Sequence, residues 1–133
     1  MTTYLIAYLA TALVFLAIDA IWLGLIATPF YKSQLGDLLA SPINFQAAAL
    51  FYLIYCVGIV IFAVSPALKS GNWTDAALYG ALFGFFCYAT YDMTNLATIR
   101  NWPLTMSIVD MAWGTVLTGF SATAGYLITQ RFI

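Results

Sequence analysis

Four long apolar stretches dominate this 133-residue chain, at about Tyr4 to Ala27, Phe45 to Val64, Ala76 to Leu96 and Thr105 to Ile128. Each holds about 20 residues or more, enough to cross a hydrocarbon core about 30 Å thick at about 1.5 Å per residue. With lipid as solvent, backbone N–H and C=O groups must bond within the chain. Apolar segments this long, without the polar alternation of a barrel strand, do so as helices. Composition agrees: 64% of residues are hydrophobic and 7% charged, against about 25% charged in a soluble domain. The expected fold is an all-α membrane protein, with residues 1–133 forming one domain of four transmembrane helices in a compact bundle.

Turn residues separate the stretches. Thr28-Pro29 and Ser65-Pro66 are expected to end helices 1 and 2, Thr74-Asp75 to cap helix 3, and Asn101-Trp102-Pro103 to precede helix 4. The longest connection, Pro29 to Asn44, places Phe30, Tyr31, Leu35, Leu38 and Leu39 on one side at helical spacing. That pattern predicts a short amphipathic segment in the interface. Trp73 and Trp102 fit an interfacial aromatic belt. Gly80 and Gly84 form a small-xxx-small pair on helix 3 and leave two readings open, packing inside the bundle or a dimer face. The first stretch reads as a span rather than a cleaved leader, because Met1-Thr2-Thr3 carries no basic residue.

The net charge of -1 argues against a nucleic-acid partner, and the chain has no His. Losing His removes the commonest metal ligand and the commonest acid–base group. Cys56 and Cys87 fall inside apolar stretches and read as unpaired packing residues. No metal site and no cofactor are expected. Orientation rests on few charges. Lys69 and Arg131 flank the face that holds both termini, and Lys32 and Arg100 the opposite face. The count is a tie, which the N-terminal amine tips toward cytoplasmic termini.

Of the Asp residues, Asp37 and Asp75 lie in connections, whereas Asp19, Asp92 and Asp110 lie within helices 1, 3 and 4. An ionisable group at such a depth costs about 2.5–3.5 kcal/mol on insertion scales and usually faces a bundle interior or an aqueous cavity. Counting along each helix puts all three in the half of the bilayer away from the termini. Asp19-Ala-Ile-Trp22 and Asp110-Met-Ala-Trp113 both place a carboxylate and an indole on one face at i, i+3. Because the two helices run in opposite directions, each indole is expected level with the other helix's carboxylate, as a reciprocal clasp. On helix 3, Tyr88, Asp92 and Asn95 share a face, with Arg100 beyond as the nearest candidate counter-ion. Interhelical hydrogen bonds in membranes average about 0.6 kcal/mol. Structure alone is therefore a small return for burying three carboxylates, and a ligand or ion site explains them better.

The segment Tyr91-Asp92-Met93-Thr94-Asn95-Leu96-Ala97-Thr98-Ile99-Arg100-Asn101-Trp102-Pro103, the later Asp110-Met111-Ala112-Trp113-Gly114, and Asp19-Ala-Ile-Trp22-Leu-Gly24 together resemble the bacterial membrane proteins catalogued as domain of unknown function 2177. The resemblance covers essentially the whole chain. It implies a four-helix architecture and a bacterial inner-membrane location, and it brings no activity or substrate.

Three functions follow as expectations. The first is an intramembrane site that binds or passes a small cation, a proton or a cationic amphiphile. Its residues would be Asp19, Asp92, Asp110, Tyr88, Asn95, Trp22, Trp113 and Arg100, with Tyr91 also lining it and aromatic faces holding positive charge. So short a chain would have to form a homodimer to build a through path. The second is an enzyme acting on a lipid or isoprenoid, with Asp as acid or base. The third is an accessory subunit whose polar layer is structural. Helix 2 reads as scaffold in all three.

Overall fold

The computed structural model describes residues 1–39 and 44–133, which are helical with no strand among them. The helices are four by count: α1 (Thr2–Leu38), α2 (Phe45–Ser70), α3 (Trp73–Thr98) and α4 (Leu104–Phe132). Among the described residues, α1 and α2 are the helices long and apolar enough to cross a membrane. α3 and α4 match the expected stretches in position, but their Thr, Asn, Ser and Asp residues dilute their apolar character.

Neither proline ends its helix, contrary to expectation. In α1 a π-helical turn at Leu23–Ala27 leads into a further α segment, Thr28–Leu35, and in α2 a turn at Val60–Val64 leads into Ser65–Ser70. Proline lacks an N–H, and its ring crowds the carbonyl four residues back. The wider turn before it relieves that conflict, and each proline then sits in the first turn of the new segment. In α1 the Thr28 hydroxyl also donates to the Leu23 carbonyl at 2.6 Å. The predicted interfacial segment is therefore mainly a continuation of α1, closed by a 3-10 turn at Gly36–Leu38. Its last part, residues 40–43, lies outside the described residues. At α3, Asn72 rather than Thr74-Asp75 is the cap, without a side-chain bond, and Asp75 falls in the first turn.

Helix α4 is the central element, packed chiefly on α3 and α1. Its buried face is small and polar: Ser107, Thr118, Ser121 and Thr129 are fully buried beside Gly114, Gly119 and Gly125. Large apolar side chains such as Leu13, Leu25, Ile54, Phe86, Val116 and Phe120 point outward. Ser107 and Thr129 satisfy their hydroxyls locally, on the Pro103 and Gly125 carbonyls, whereas the buried Ser121 and Thr11 hydroxyls have no partner. Thr118 instead reaches across to the Tyr55 hydroxyl at 2.8 Å.

The open question about Gly80 and Gly84 resolves to packing against α4. A Cβ on Gly80 would lie 2.8 Å from that of Ala122 and 2.9 Å from the Thr118 carbonyl oxygen. One on Gly84 would lie 2.7 Å from the Thr118 Cβ and closer still to the Gly114 carbonyl. Opposite them, the Tyr88 ring fills the space a side chain on Gly114 would need. Helix α2 behaves differently along its length. Its second half, from Val60 onward, packs closely against α3, whereas the backbone of Phe45–Ile59 leans on α1 and meets α3 only through side chains, with Tyr55 stacked on Phe83 and edge-on to Tyr88. The two helices thus splay apart toward the end where α3 meets α4.

Gly84→Ala is expected to lower stability by about 1–3 kcal/mol, the usual cost of overpacking, measured by unfolding in mixed micelles. Gly24→Ala, where nothing lies within 4 Å, is the control. Equal behaviour of the two variants would show that the α3–α4 approach is not tight.

Candidate functional site

Helices α3 and α4 form an antiparallel hairpin through the turn at residues 99–103, where Asn101 takes a positive φ of 62°. Asp92 stands six residues before the last residue of α3 (98 − 92) and Asp110 six after the first of α4 (110 − 104). At equal distances from one turn, Asp92 and Asp110 lie level with each other on the two arms of the hairpin. Their settings differ. Asp92 is 0% exposed and neither of its oxygens has a hydrogen-bond partner. Asp110 is half-buried, and its Oδ1 accepts a bond of 2.7 Å from the Tyr31 hydroxyl.

Asp19 is held separately. Its Oδ2 accepts from the Tyr52 hydroxyl at 2.5 Å and its Oδ1 from the Trp113 indole N–H at 3.2 Å. One half of the expected clasp therefore forms. The other half does not, because Trp22 lies flat on Trp113, with ring centroids 4.2 Å apart and 12° between planes. In that stack the Trp22 Nε1 is buried without a partner, and Tyr31 takes the place at Asp110 foreseen for it.

Where α2 splays from α3, the gap between them is a partly open cavity of about 360 Å³. Phe51, Tyr52 and Tyr55 line it from α2, Cys87, Tyr88 and Tyr91 from α3, and Asp110 from α4. Asp110 is the one charged residue among the described residues of this lining. Phe51 and Tyr91 are about half exposed on the outer surface, so the cavity's mouth lies between the two helices.

Of the residues singled out by sequence, the structure brings Asp110, Tyr88 and Tyr91 together around the cavity, with Asp92 buried on α3 level with Asp110. Asp19, Trp22 and Trp113 form a second group, joined to the cavity through Tyr52. Asn95 is half-buried with its side chain beside the Tyr91 phenol. Arg100 does not act as counter-ion to Asp92. It is exposed in the hairpin turn, and the Asp92 oxygens have no partner.

Helix α2 is not scaffold alone, because it supplies Tyr52 to Asp19 and both Tyr52 and Tyr55 to the cavity. The available signal was two phenols at i, i+3 in an otherwise apolar stretch, which share one helix face. Tyr31, read as part of an interfacial segment, reaches Asp110 because α1 continues through Pro29. Cys56 and Cys87 are both unpaired.

An all-helical chain with two membrane-length apolar helices, outward apolar faces and inward carboxylates belongs to the class of helical proteins suited to membrane association. The chain belongs to the family described as Predicted membrane protein (DUF2177), whose model matches residues 4–127. No curated protein and no solved structure matches it.

Tyr52→Phe removes one donor from Asp19 while keeping the ring. It is expected to cost about 0.6–1.7 kcal/mol, the range of interhelical hydrogen bonds in membranes, read as a shift of the unfolding curve in micelles. A loss no larger than that of Tyr79→Phe, whose hydroxyl makes no such bond, would show that the contact contributes nothing.

Proposed function

We propose that the chain crosses the bilayer four times and that the cavity between α2 and α3 binds a monovalent, amphipathic organic cation, with the Asp110 carboxylate as its counter-charge. The observation that carries this reading is the lining itself: one carboxylate in a chamber otherwise walled by aromatic rings and a thiol. Its volume, about 360 Å³, falls within the range of about 300–1,000 Å³ typical of organic ligand sites.

Charge and polarity then narrow the ligand. A carboxylate among apolar walls lacks the solvation it had in water, and a cation restores it. The faces of Tyr52, Tyr55, Tyr88 and Tyr91 add attraction for a positive group, strongest where water is excluded. Rings rather than polar groups make up the rest of the wall, which favours a cation carrying apolar substituents. Among the described residues, no three His, Cys, Asp or Glu side chains are grouped to hold a metal ion. With lipid outside, the mouth between Phe51 and Tyr91 opens sideways into the bilayer, so the ligand enters from the membrane. In this reading the three Asp residues are intramembrane, the host membrane is a bacterial inner membrane, and both termini lie in the cytoplasm.

Tetraphenylphosphonium, whose charge does not depend on pH, is a suitable probe for protein in nanodiscs. Asp110→Asn keeps an oxygen for the Tyr31 hydroxyl but removes the charge. It is expected to weaken probe binding at least about tenfold, equivalent to about 1.4 kcal/mol, with the variant's unfolding curve serving as the folding check. A folded Asp110→Asn protein that binds the probe as tightly as the unaltered chain would overturn the proposal.

A further inference from the structure

We propose that Asp92 and Asp110 form a proton-holding pair with fixed and unequal roles. Asp92 is the neutral acid that donates an O–H···O bond, and Asp110 is the carboxylate that accepts it. The inference deepens the preceding proposal and rests on it for the ligand, but the pair's protonation can be tested without one.

Two ionised carboxylates in contact repel, and neither can donate a hydrogen bond to the other. A single shared proton turns that contact into a charge-assisted hydrogen bond, the stronger kind. Which residue keeps the proton follows from their surroundings. Asp92 has 0% exposure and no donor to either oxygen. A charge there would be buried without compensation, among the least favourable arrangements a protein can hold. Asp110 has the Tyr31 hydroxyl at 2.7 Å and borders the cavity. Negative charge belongs where a donor already points and where a ligand can reach it.

The groups facing the pair do not change this assignment. Tyr31 comes from α1, Tyr52 from α2, and Tyr88 and Tyr91 from α3 itself. Asp19 on α1 is engaged by Tyr52 and Trp113. With the Cys87 thiol in the cavity wall, these are phenols, a thiol and a carboxylate, so among the described residues none supplies a positive charge that would let both members of the pair ionise.

The arrangement has a consequence for specificity. With the proton on Asp92, the chamber presents one negative charge rather than two, held on Asp110 between two donors. A monovalent cation neutralises it, and the proton stays in place when the ligand binds. Asp92 is thus a positioning residue: it fixes Asp110 and keeps the site's charge at one.

Infrared spectra of the empty protein in nanodiscs test the assignment directly. The carbonyl band of a protonated carboxyl is expected in the unaltered chain and in Asp110→Asn, and is expected to vanish in Asp92→Asn. Absence of that band in the unaltered chain, or its loss in Asp110→Asn with survival in Asp92→Asn, overturns the inference.

Binding of tetraphenylphosphonium supplies the second readout. Asp92→Asn replaces one neutral donor with another, and affinity is expected to stay within about threefold of the unaltered chain. Asp92→Ala, which leaves Asp110 without that donor, is expected to lose about tenfold, the scale of one hydrogen bond to a charged group. Tight binding by Asp92→Ala, or loss in a folded Asp92→Asn equal to that in Asp110→Asn, also overturns it. No probe binding by the unaltered chain removes the ligand proposal alone, and the infrared result then decides the proton pair by itself.

Discussion

Helices α3 and α4 lie against each other with almost nothing between their backbones, because Gly80 and Gly84 present no Cβ and Gly114 leaves room for the Tyr88 ring. Much of the remaining arrangement depends on that approach. It sets the register of the hairpin, so Asp92 meets Asp110 rather than passing above or below it. It also lets van der Waals contact between backbones hold the pair together. With the closest packing spent on α3, α4 offers its other face to α1, and α2 is left to lean on α1 and on only part of α3.

That partial contact makes the chamber. Tyr55 bridges the two helices, stacked on Phe83 and edge-on to Tyr88, and the space beyond it toward Phe51 and Tyr91 is left open. The α2 backbone stays close to α3 from Val60 onward and is farther from it over Phe45–Ile59, where aromatic side chains span the gap. The π-helical turn at Val60–Val64 lies at this change, and the proline after it prevents a regular α ladder from being restored there. Turns of this kind recur at functional sites. The same device in α1, before Pro29, carries Tyr31 far enough to reach Asp110.

The carboxylates occupy three grades of environment. Asp19 has two donors and is a satisfied interhelical link. Asp110 has one donor and an open side. Asp92 has none. Residues that look alike in sequence, each a single Asp within an apolar helix, therefore separate into a structural bond, a candidate ligand contact and a candidate proton holder. The difference lies wholly in what other helices bring to them.

The sequence by itself determined the helices and the level of their polar residues. Helical hydrogen bonds are local, so apolar length and turn residues suffice to place α3 and α4 within a few residues. The equal spacing of Asp92 and Asp110 from Asn101 already put them in the same half of the bundle. The half-clasp from Trp113 to Asp19 was legible for the same reason. Only the tertiary structure decided which way each helix faces. Tyr31 and Asp110 are 79 residues apart, and Tyr52 and Asp19 are 33 apart, so no local pattern links them. Pro29 and Pro66 looked like ends because a regular helix cannot absorb them, and a wide turn supported by neighbouring helices can. The choice of α4 as the partner of Gly80 and Gly84 likewise depended on its small residues arriving at the same height. Local physics fixed what each helix is, and the packing between helices fixed what its polar side chains meet.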